Sequence, residues 1–367
     1  MSVSSPAKRM KKKAFALIFL LLSCLSLRAQ WDYRILTPKP LWIGDTLSVF
    51  IMGDVMMHTR QLDYDCRRFF ARSEHLIKAA DVAAANMEFT LAGEPYSGYP
   101  CFSAPDAYAE YAADCGVDVF LTANNHILDK GPKGLERTLE IYDGMERNRG
   151  ISYTGCAADE ASDTLRNPLI INKNGIRLAI VNFTYGTNSG SGGSPLPIVK
   201  RMKRETVAAM MKKARENADF VVVLPHWGEE YQLRHNSTQE DWARWLTEQG
   251  ASIIVGAHPH VVQDTTHIAG VPVIYSMGNA VSNMTARNTR LELAVKFKAM
   301  RNWKGEKKIS EPELVFLWCT VPGMLEDNYS TIPVEEYLGK RELWKNPADY
   351  DNMKATLERV KKETGIE

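Results

Sequence analysis

The sequence predicts an α/β fold on three observations. Short apolar runs rich in Val and Ile recur along the chain, helical patterns separate them, and each run ends at a polar residue or glycine. Strands that are apolar at successive positions are buried on both faces, and strand–helix repetition implies crossover connections in a largely parallel sheet. With 367 residues and 45% hydrophobic content, the chain can bury the core of one sizeable domain or two small ones. Its charge is nearly balanced, +1 with neutral histidines, which gives no reason to expect nucleic acid, because a phosphate-binding footprint needs clustered Lys and Arg.

The first thirty residues stand apart. "KRMKKK" (8–13) precedes the apolar run Ala14–Leu27, which breaks at "RAQW" with a small residue at Ala29, the order of an export signal. An uncleaved N-terminal anchor is the alternative reading of 1–30, and a lipobox-like "LLSC" at Cys24 is a third. Without this segment 39 basic residues face 44 acidic ones, so the body is mildly acidic, and an exported, periplasmic or cell-envelope location is expected. Five further cysteines (Cys66, Cys101, Cys115, Cys156, Cys319) match neither a CxxC zinc site nor a dense disulfide scaffold. They read mostly as buried small apolar side chains, with one disulfide left open.

Strands are expected at 47–53, 117–122, 177–183, 220–225, 252–256 and 272–277. Between them fall helices at 132–147, opened by Pro132, at 205–217, and at 238–249, where Thr238 followed by Asp241 reads as an N-cap. Runs 291–297 and 313–319 follow one another with no helix between, which predicts antiparallel pairing at an edge or in a second sheet. The glycine- and serine-rich loop 186–197 reads as a flexible crossover, with a lid beside the strand ends as the alternative. The charged stretch 326–367 is expected as a helical appendage packed on the outside.

Polar chemistry collects where the apolar runs stop. Asp54 follows "VFIMG", Asn86 to Glu88 follow "VAAA", Asn124 to His126 follow "VFLTA", His226 follows "VVVLP", and His258 to His260 follow "IIVGA". Open α/β sheets bind ligands at the carboxyl ends of their strands, so these remote stretches are expected to converge on one crevice. His258 and His260, two apart on an extended segment stiffened by Pro259, would point the same way. Asp54, Glu88, Asn125, His226, His258 and His260 form an oxygen-and-nitrogen donor set without thiolate. Such a set suits one or two borderline divalent cations such as Mn, Fe, Zn or Ni.

The blocks "GDVMM", "NME", "ANNHILDKGPKGL", "HWGEEY", "GAHPHVVQ" and "YSMGN", in order from about Leu47 to Asn283, closely resemble the bacterial capsule-synthesis CapA family of poly-γ-glutamate biosynthesis type. That family is a branch of the calcineurin-like metallophosphatase superfamily. The resemblance implies a four-layer αββα sandwich over 44–325, with a metal centre at the strand ends. It also implies roles: Asp54 as the Asp of the opening Asp-x-His element, Glu88 in place of the bridging aspartate, Asn125 and His226 as ligands, and His258 with His260 as the closing pair. Met56 stands where the superfamily has His, which leaves one metal position a ligand short; His58 lies two residues further on. His126 is expected as a general acid oriented by Asp129, with Glu229 and Asn124 as substrate contacts. Two functions follow from the resemblance and the donor series. One is an exported metal-dependent hydrolase of a phosphoester or an anionic envelope polymer. The other is a non-catalytic factor for assembly or export of such a polymer, partnered by capsule-assembly membrane proteins.

Overall fold

The computed structural model describes residues 44–190 and 194–367. The expected leader at 1–30, with Cys24, lies outside these residues. In chain order the strands are β1 (Gly44–Val55), β2 (Val82–Met87), β3 (Val119–Leu121), β4 (Ser152–Thr154), β5 (Cys156–Ala157), β6 (Leu169–Lys173), β7 (Ile176–Thr184), β8 (Ile198–Val199), β9 (Phe220–His226), β10 (Ile253–Val255), β11 (Thr265–Ile268), β12 (Val271–Ile274), β13 (Asn279–Val281), β14 (Leu291–Asn302), β15 (Lys307–Ile309), β16 (Glu313–Thr320) and β17 (Ser330–Pro333). The helices are α1 (Glu74–Lys78), α2 (Asp106–Asp114), α3 (Gly131–Arg149), α4 (Glu160–Arg166), α5 (Arg204–Asn217), α6 (Ser237–Glu248), α7 (Val334–Tyr337) and α8 (Pro347–Thr364).

Two mixed sheets result. The first runs β17-β16-β14-β1-β2-β3-β4, with β13 also beside β1 and β15 beside β14; β1 to β4 are parallel, and β14, β16 and β17 antiparallel. The second runs β11-β12-β10-β9-β7-β6, parallel in its centre and closed at both edges by antiparallel strands.

The layering follows from side-chain alternation. Along β1, Leu47, Val49 and Ile51 point into a cluster shared with Leu178 and Ile180 of β7 and Phe220, Val222 and Leu224 of β9. The intervening Phe50 and Met52 face outward onto Tyr108 of α2 and Leu135 and Leu139 of α3. On the second sheet, Ala179, Val181, Val221 and Val223 face outward onto Val207 and Met211 of α5 and Trp242 and Leu246 of α6. Three apolar interfaces between two sheets and two helical layers make the expected four-layer αββα sandwich.

Several elements differ from the sequence reading in instructive ways. Helix α6 is capped by Asn236, whose side chain accepts from the Gln239 N–H while Gln239 reaches back to the Asn236 N–H; Thr238 lies inside the helix. The pairing of 291–297 with 313–319 is antiparallel as expected, and β14 continues to Asn302 because Lys307–Ile309 folds back on it. The closing stretch 326–367 is more than an outer appendage. It supplies β17, the edge strand of the first sheet, and α8 buries Tyr350, Met353 and Val360 in the cluster between the sheets. All five cysteines among the described residues are free thiols, and Cys115, Cys156 and Cys319 are buried.

Candidate metal centre

The carboxyl ends of β1, β2, β9 and β10 meet at one point. Strand β1 reaches it through a close backbone approach: a Cβ on Gly53 would lie 2.0 Å from the Gly278 carbonyl oxygen. The register with β2 shifts at this residue, which turns Asp54 into the site. Asp54 is fully buried; its Oδ1 accepts from Asn86 Nδ2 at 2.7 Å and its Oδ2 from the His258 N–H at 3.2 Å, with His260 Nδ1 3.3 Å away.

Glu88 is the centre of the arrangement. Ligand atoms of Glu88, His226 and His258 lie within 4.8 Å of one another, and so do those of Asp54, Glu88 and His260. Its Oε1 is buried with no hydrogen-bond partner among the described residues, 3.7 Å from His226 Nε2 and 3.8 Å from His260 Nε2. His258 Nδ1 is likewise buried and unpartnered. Orphaned buried acceptors are costly, and a cation held between them would satisfy both. Asn125 adds a neutral oxygen: its Oδ1 stands 2.7 Å from His226 Nε2. The donor set fits a divalent ion, with Glu88 shared between two adjacent positions.

Electrostatics point the same way. Burial and the nearby Asp54 charge push Glu88 well above the usual carboxylate range. Burial works to raise Asp54 too, but the His260 hydrogen bond and the charges of His226 and His260 hold it low. Burial drives His226 down to about 3 and, reinforced by the neighbouring imidazoles, His258 well below its usual value. Both rings are therefore neutral at physiological pH, the form that ligates metal.

His258 and His260 converge by a route other than the extended segment expected. Both have positive φ, 102° and 57°. Two non-glycine residues held in this region store strain, and strain of this kind concentrates at functional sites. The turn 228–231 braces them: the Tyr231 N–H donates to the Pro259 carbonyl at 2.9 Å, and its ring lies 6.4 Å from His260.

Beside the donor cluster, His126 and Asp129 form a buried pair, His126 Nδ1 lying 2.7 Å from Asp129 Oδ2. The same Asp129 oxygen accepts the Phe102 N–H at 2.9 Å, and the Phe102 ring packs edge-on against His126 at 4.7 Å. The described part of loop 186–197 reaches this point, with the Asn188 N–H on the Asn125 carbonyl at 2.7 Å and its amide 3.4 Å from His126 Nε2. Exposed tyrosines rim the mouth: Tyr99 beside His126, Tyr185 with its ring 4.5 Å from His258, and Tyr231.

The two expected substrate contacts, Asn124 and Glu229, sit differently from one another. Asn124 is fully buried; its Nδ2 donates to the Met87 carbonyl at 2.9 Å and its Oδ1 accepts the His126 N–H at 3.2 Å, so it positions the β3 loop and has no face for substrate. Glu229 is exposed, with its Oε1 3.4 Å from Asn236 Nδ2, and lines a hollow beside Tyr185. The adjacent Glu230 faces the centre instead, its carboxylate grouped with His258 and His260. Met56 is buried in the outer apolar cluster, and His58 does not replace the missing imidazole: its Nδ1 takes the Asn283 N–H at 3.2 Å and its ring packs on Phe102. Asn86, absent from the expected set, is the amide that fastens Asp54; a buried Asn inside the apolar run "VAAANM" was the available signal.

The four-layer αββα sandwich, with carboxylate, amide and imidazole groups gathered at its strand ends, is the architecture that the family resemblance implied. Residues 48–284 match the family model of the bacterial capsule synthesis protein PGA_cap, and the chain belongs to that family. It is 28% identical over 323 residues to the PGA biosynthesis protein CapA of Bacillus subtilis, covering 83% of this chain and 82% of the relative. It is also 28% identical over 310 residues to the capsule biosynthesis protein CapA of Bacillus anthracis, covering 79% of this chain and 74% of the relative. Among solved structures, the NAD nucleotidase of Haemophilus influenzae aligns at 15% identity and a TM-score of 0.43, over 88% of this chain and 61% of that one. The 5'-nucleotidase of Candida albicans aligns at 11% identity and a TM-score of 0.42, over 88% of this chain and 59% of that one.

Proposed function

We propose that this capsule-synthesis family member is an exported metal-dependent hydrolase that cleaves an anionic envelope polymer of the poly-γ-glutamate kind, or a phosphoester. The observation that carries the reading is the unpartnered Glu88 oxygen, fully buried between His226 and His260 and shared by two donor triads. A buried carboxylate oxygen without a donor is costly, and the two imidazoles flanking this one complete a donor set for a cation that would satisfy it. Divalent ions held there would activate water and neutralise charge developing on a carbonyl or phosphoryl oxygen. The chain's own residues supply the rest. Asp129 accepts from His126 Nδ1, which fixes the ring and leaves Nε2 to carry a proton to the leaving group. The half-exposed rings of Tyr185 and Tyr231 would bound the substrate's approach. The Bacillus relatives are a PGA biosynthesis and a capsule biosynthesis protein, which favours a capsule polymer over a small phosphoester.

Met56 supports a second reading. Its side chain lies in the apolar cluster, so residue 56 offers the centre no imidazole, as in a non-catalytic factor for polymer assembly working with membrane proteins. Metal analysis of the purified protein, together with turnover assays on a model phosphodiester and a γ-glutamyl peptide, separates the two. The hydrolase reading expects stoichiometric metal, lost in His258→Ala and His260→Ala, and turnover on one substrate that is lost with it. Stoichiometric metal without turnover on either substrate would favour the assembly factor.

A further inference from the structure

A cavity of about 290 Å³ opens between the loop 283–290, the turn that follows β1, and helix α8. Four arginines line it, Arg60, Arg287, Arg290 and Arg359, and among the described residues no Asp or Glu does. Their surroundings separate them. Arg290 is committed internally, with Nη1 and Nη2 on the Asp349 carboxylate at 2.6 and 2.7 Å and Nε on the Cys319 carbonyl at 2.7 Å. Arg359 donates only to neutral acceptors, Asn288 Oδ1 at 2.8 and 3.0 Å and Thr356 Oγ1 at 3.0 Å. Arg60 and Arg287 are exposed and make no side-chain hydrogen bond or ion pair among the described residues.

The cations crowd one another. Burial and the Arg287 charge hold the Arg359 guanidinium below the usual arginine range, against an opposing contribution from Glu363. Like charges on one concave wall raise the local potential, and an anion entering the cavity relieves it. Guanidinium groups present planar forks that match carboxylate and phosphate oxygens. The wall is also fixed in place: Asn288 has φ 73° and is held by Arg359, next in chain to Arg287. Finally, the cavity shares residues with the support of the metal centre. Its lining Asn283 donates its N–H to His58 Nδ1 at 3.2 Å, and its lining Met284 Sδ lies 3.4 Å from Asn279 Nδ2, the residue whose Oδ1 stands 2.9 Å from His260 Nδ1.

We propose that this cavity is a binding site for oxyanion groups, the carboxylates of an acidic polymer or a phosphate, separate from the metal centre and sharing a wall with it. Only the choice of polymer rests on the function proposed above; the site itself rests on the arginines. The test titrates the full-length, metal-loaded protein with γ-glutamate oligomers and, separately, with inorganic pyrophosphate. An Arg60→Gln/Arg287→Gln double variant and a His258→Ala variant are measured beside it. Neither arginine has a partner to lose, and matching melting curves check that the double variant is folded. The expected result is binding that weakens at least tenfold in the double variant, weakens with salt, and persists in His258→Ala. Oligomer binding identifies polymer carboxylates as the ligand, and pyrophosphate binding alone identifies phosphate. Equal affinity in wild type and double variant, binding lost only in His258→Ala, or no binding of either anion overturns the proposal. Arginine-dependent binding without hydrolysis leaves this site standing and counts against the hydrolase alone.

Discussion

At the scale of single residues, the site separates neighbours that are alike in sequence. Glu229 and Glu230 are both exposed acids beside His226, yet only Glu230 lies within ligand distance of His258 and His260. Glu230→Gln is therefore expected to weaken metal retention, read as metal content after dialysis against a mild chelator, while Glu229→Gln matches wild type; equal behaviour of the two would remove Glu230 from the centre. Behind the site, Glu292 accepts the Gly53 N–H at 2.6 Å, and burial pushes its carboxyl up to about 8. The folded protein then keeps a proton that the unfolded chain releases from about pH 4.5 upward, so stability falls as pH rises through the window from 4.5 to 8. Fully developed, the loss is on the order of a few kcal/mol. Glu292→Gln keeps an acceptor for Gly53 and cannot titrate. Its melting temperature should exceed that of wild type at pH 9, with the gap narrowing toward pH 5, and parallel pH profiles would contradict this. Residues of this kind were legible only in part. Asp54, Asn125, His226, His258 and His260 announce themselves as polar stops on apolar runs. The choice of Glu230 over Glu229 is made by a turn with positive φ at Gly228 and Tyr231, and its direction is invisible to spacing.

At the scale of elements, central strands could be read from sequence because they are apolar on both faces, as β1, β7 and β9 are. The short edges could not: β13, β15 and β17 hold three or four residues each, and their pairing is decided by the partner strand more than by their own pattern. Helix α6 is legible in the sequence but its cap is not, because Asn236 and Thr238 are both good N-cap residues and only the Gln239 reach-back distinguishes them. Asn236→Ala should cost about 1 kcal/mol of stability and Thr238→Ala much less, measured by denaturant titration. A reversed order would mean that Thr238, and not Asn236, caps the helix. Strand β1 carries a heavier demand. Any Cβ at Gly53 meets the Gly278 backbone oxygen at 2.0 Å, and backbone cannot swing aside as a flexible side chain can. Gly53→Ala is expected to cost about 3 kcal/mol and to displace Asp54, so that metal content falls along with the melting temperature. A stable Gly53→Ala protein with full metal would show that β1 and the 277–279 segment separate without consequence for the site.

At the scale of the whole molecule, the candidate metal centre and the closing stretch of the chain occupy different parts of the same sandwich. All the expected donors precede residue 261, and the family match ends at residue 284, so sequence alone makes 326–367 look dispensable. The packing contradicts that. Ile332 of β17 and Trp344, Tyr350, Met353, Val360 and Ile366 fill the cluster between the two sheets, and Asp349 is the carboxylate that pairs with Arg290 at the edge of β14. Removing these residues would open the interior layer to water and leave β16 as an unpaired, apolar edge. It would also strip Arg290 of its buried counter-charge. Each large apolar side chain withdrawn from a packed layer costs about 2–5 kcal/mol, and a domain's net stability is only about 5–15 kcal/mol, so the sum exceeds what the fold can lose. A chain ending at Leu325 is therefore expected to lose its cooperative thermal transition and to bind a hydrophobic dye, although every proposed ligand is still present. A truncated protein that melts cooperatively near the wild-type temperature, with its metal in place, would make residue 325 a true domain boundary and the closing helix an ornament of the surface.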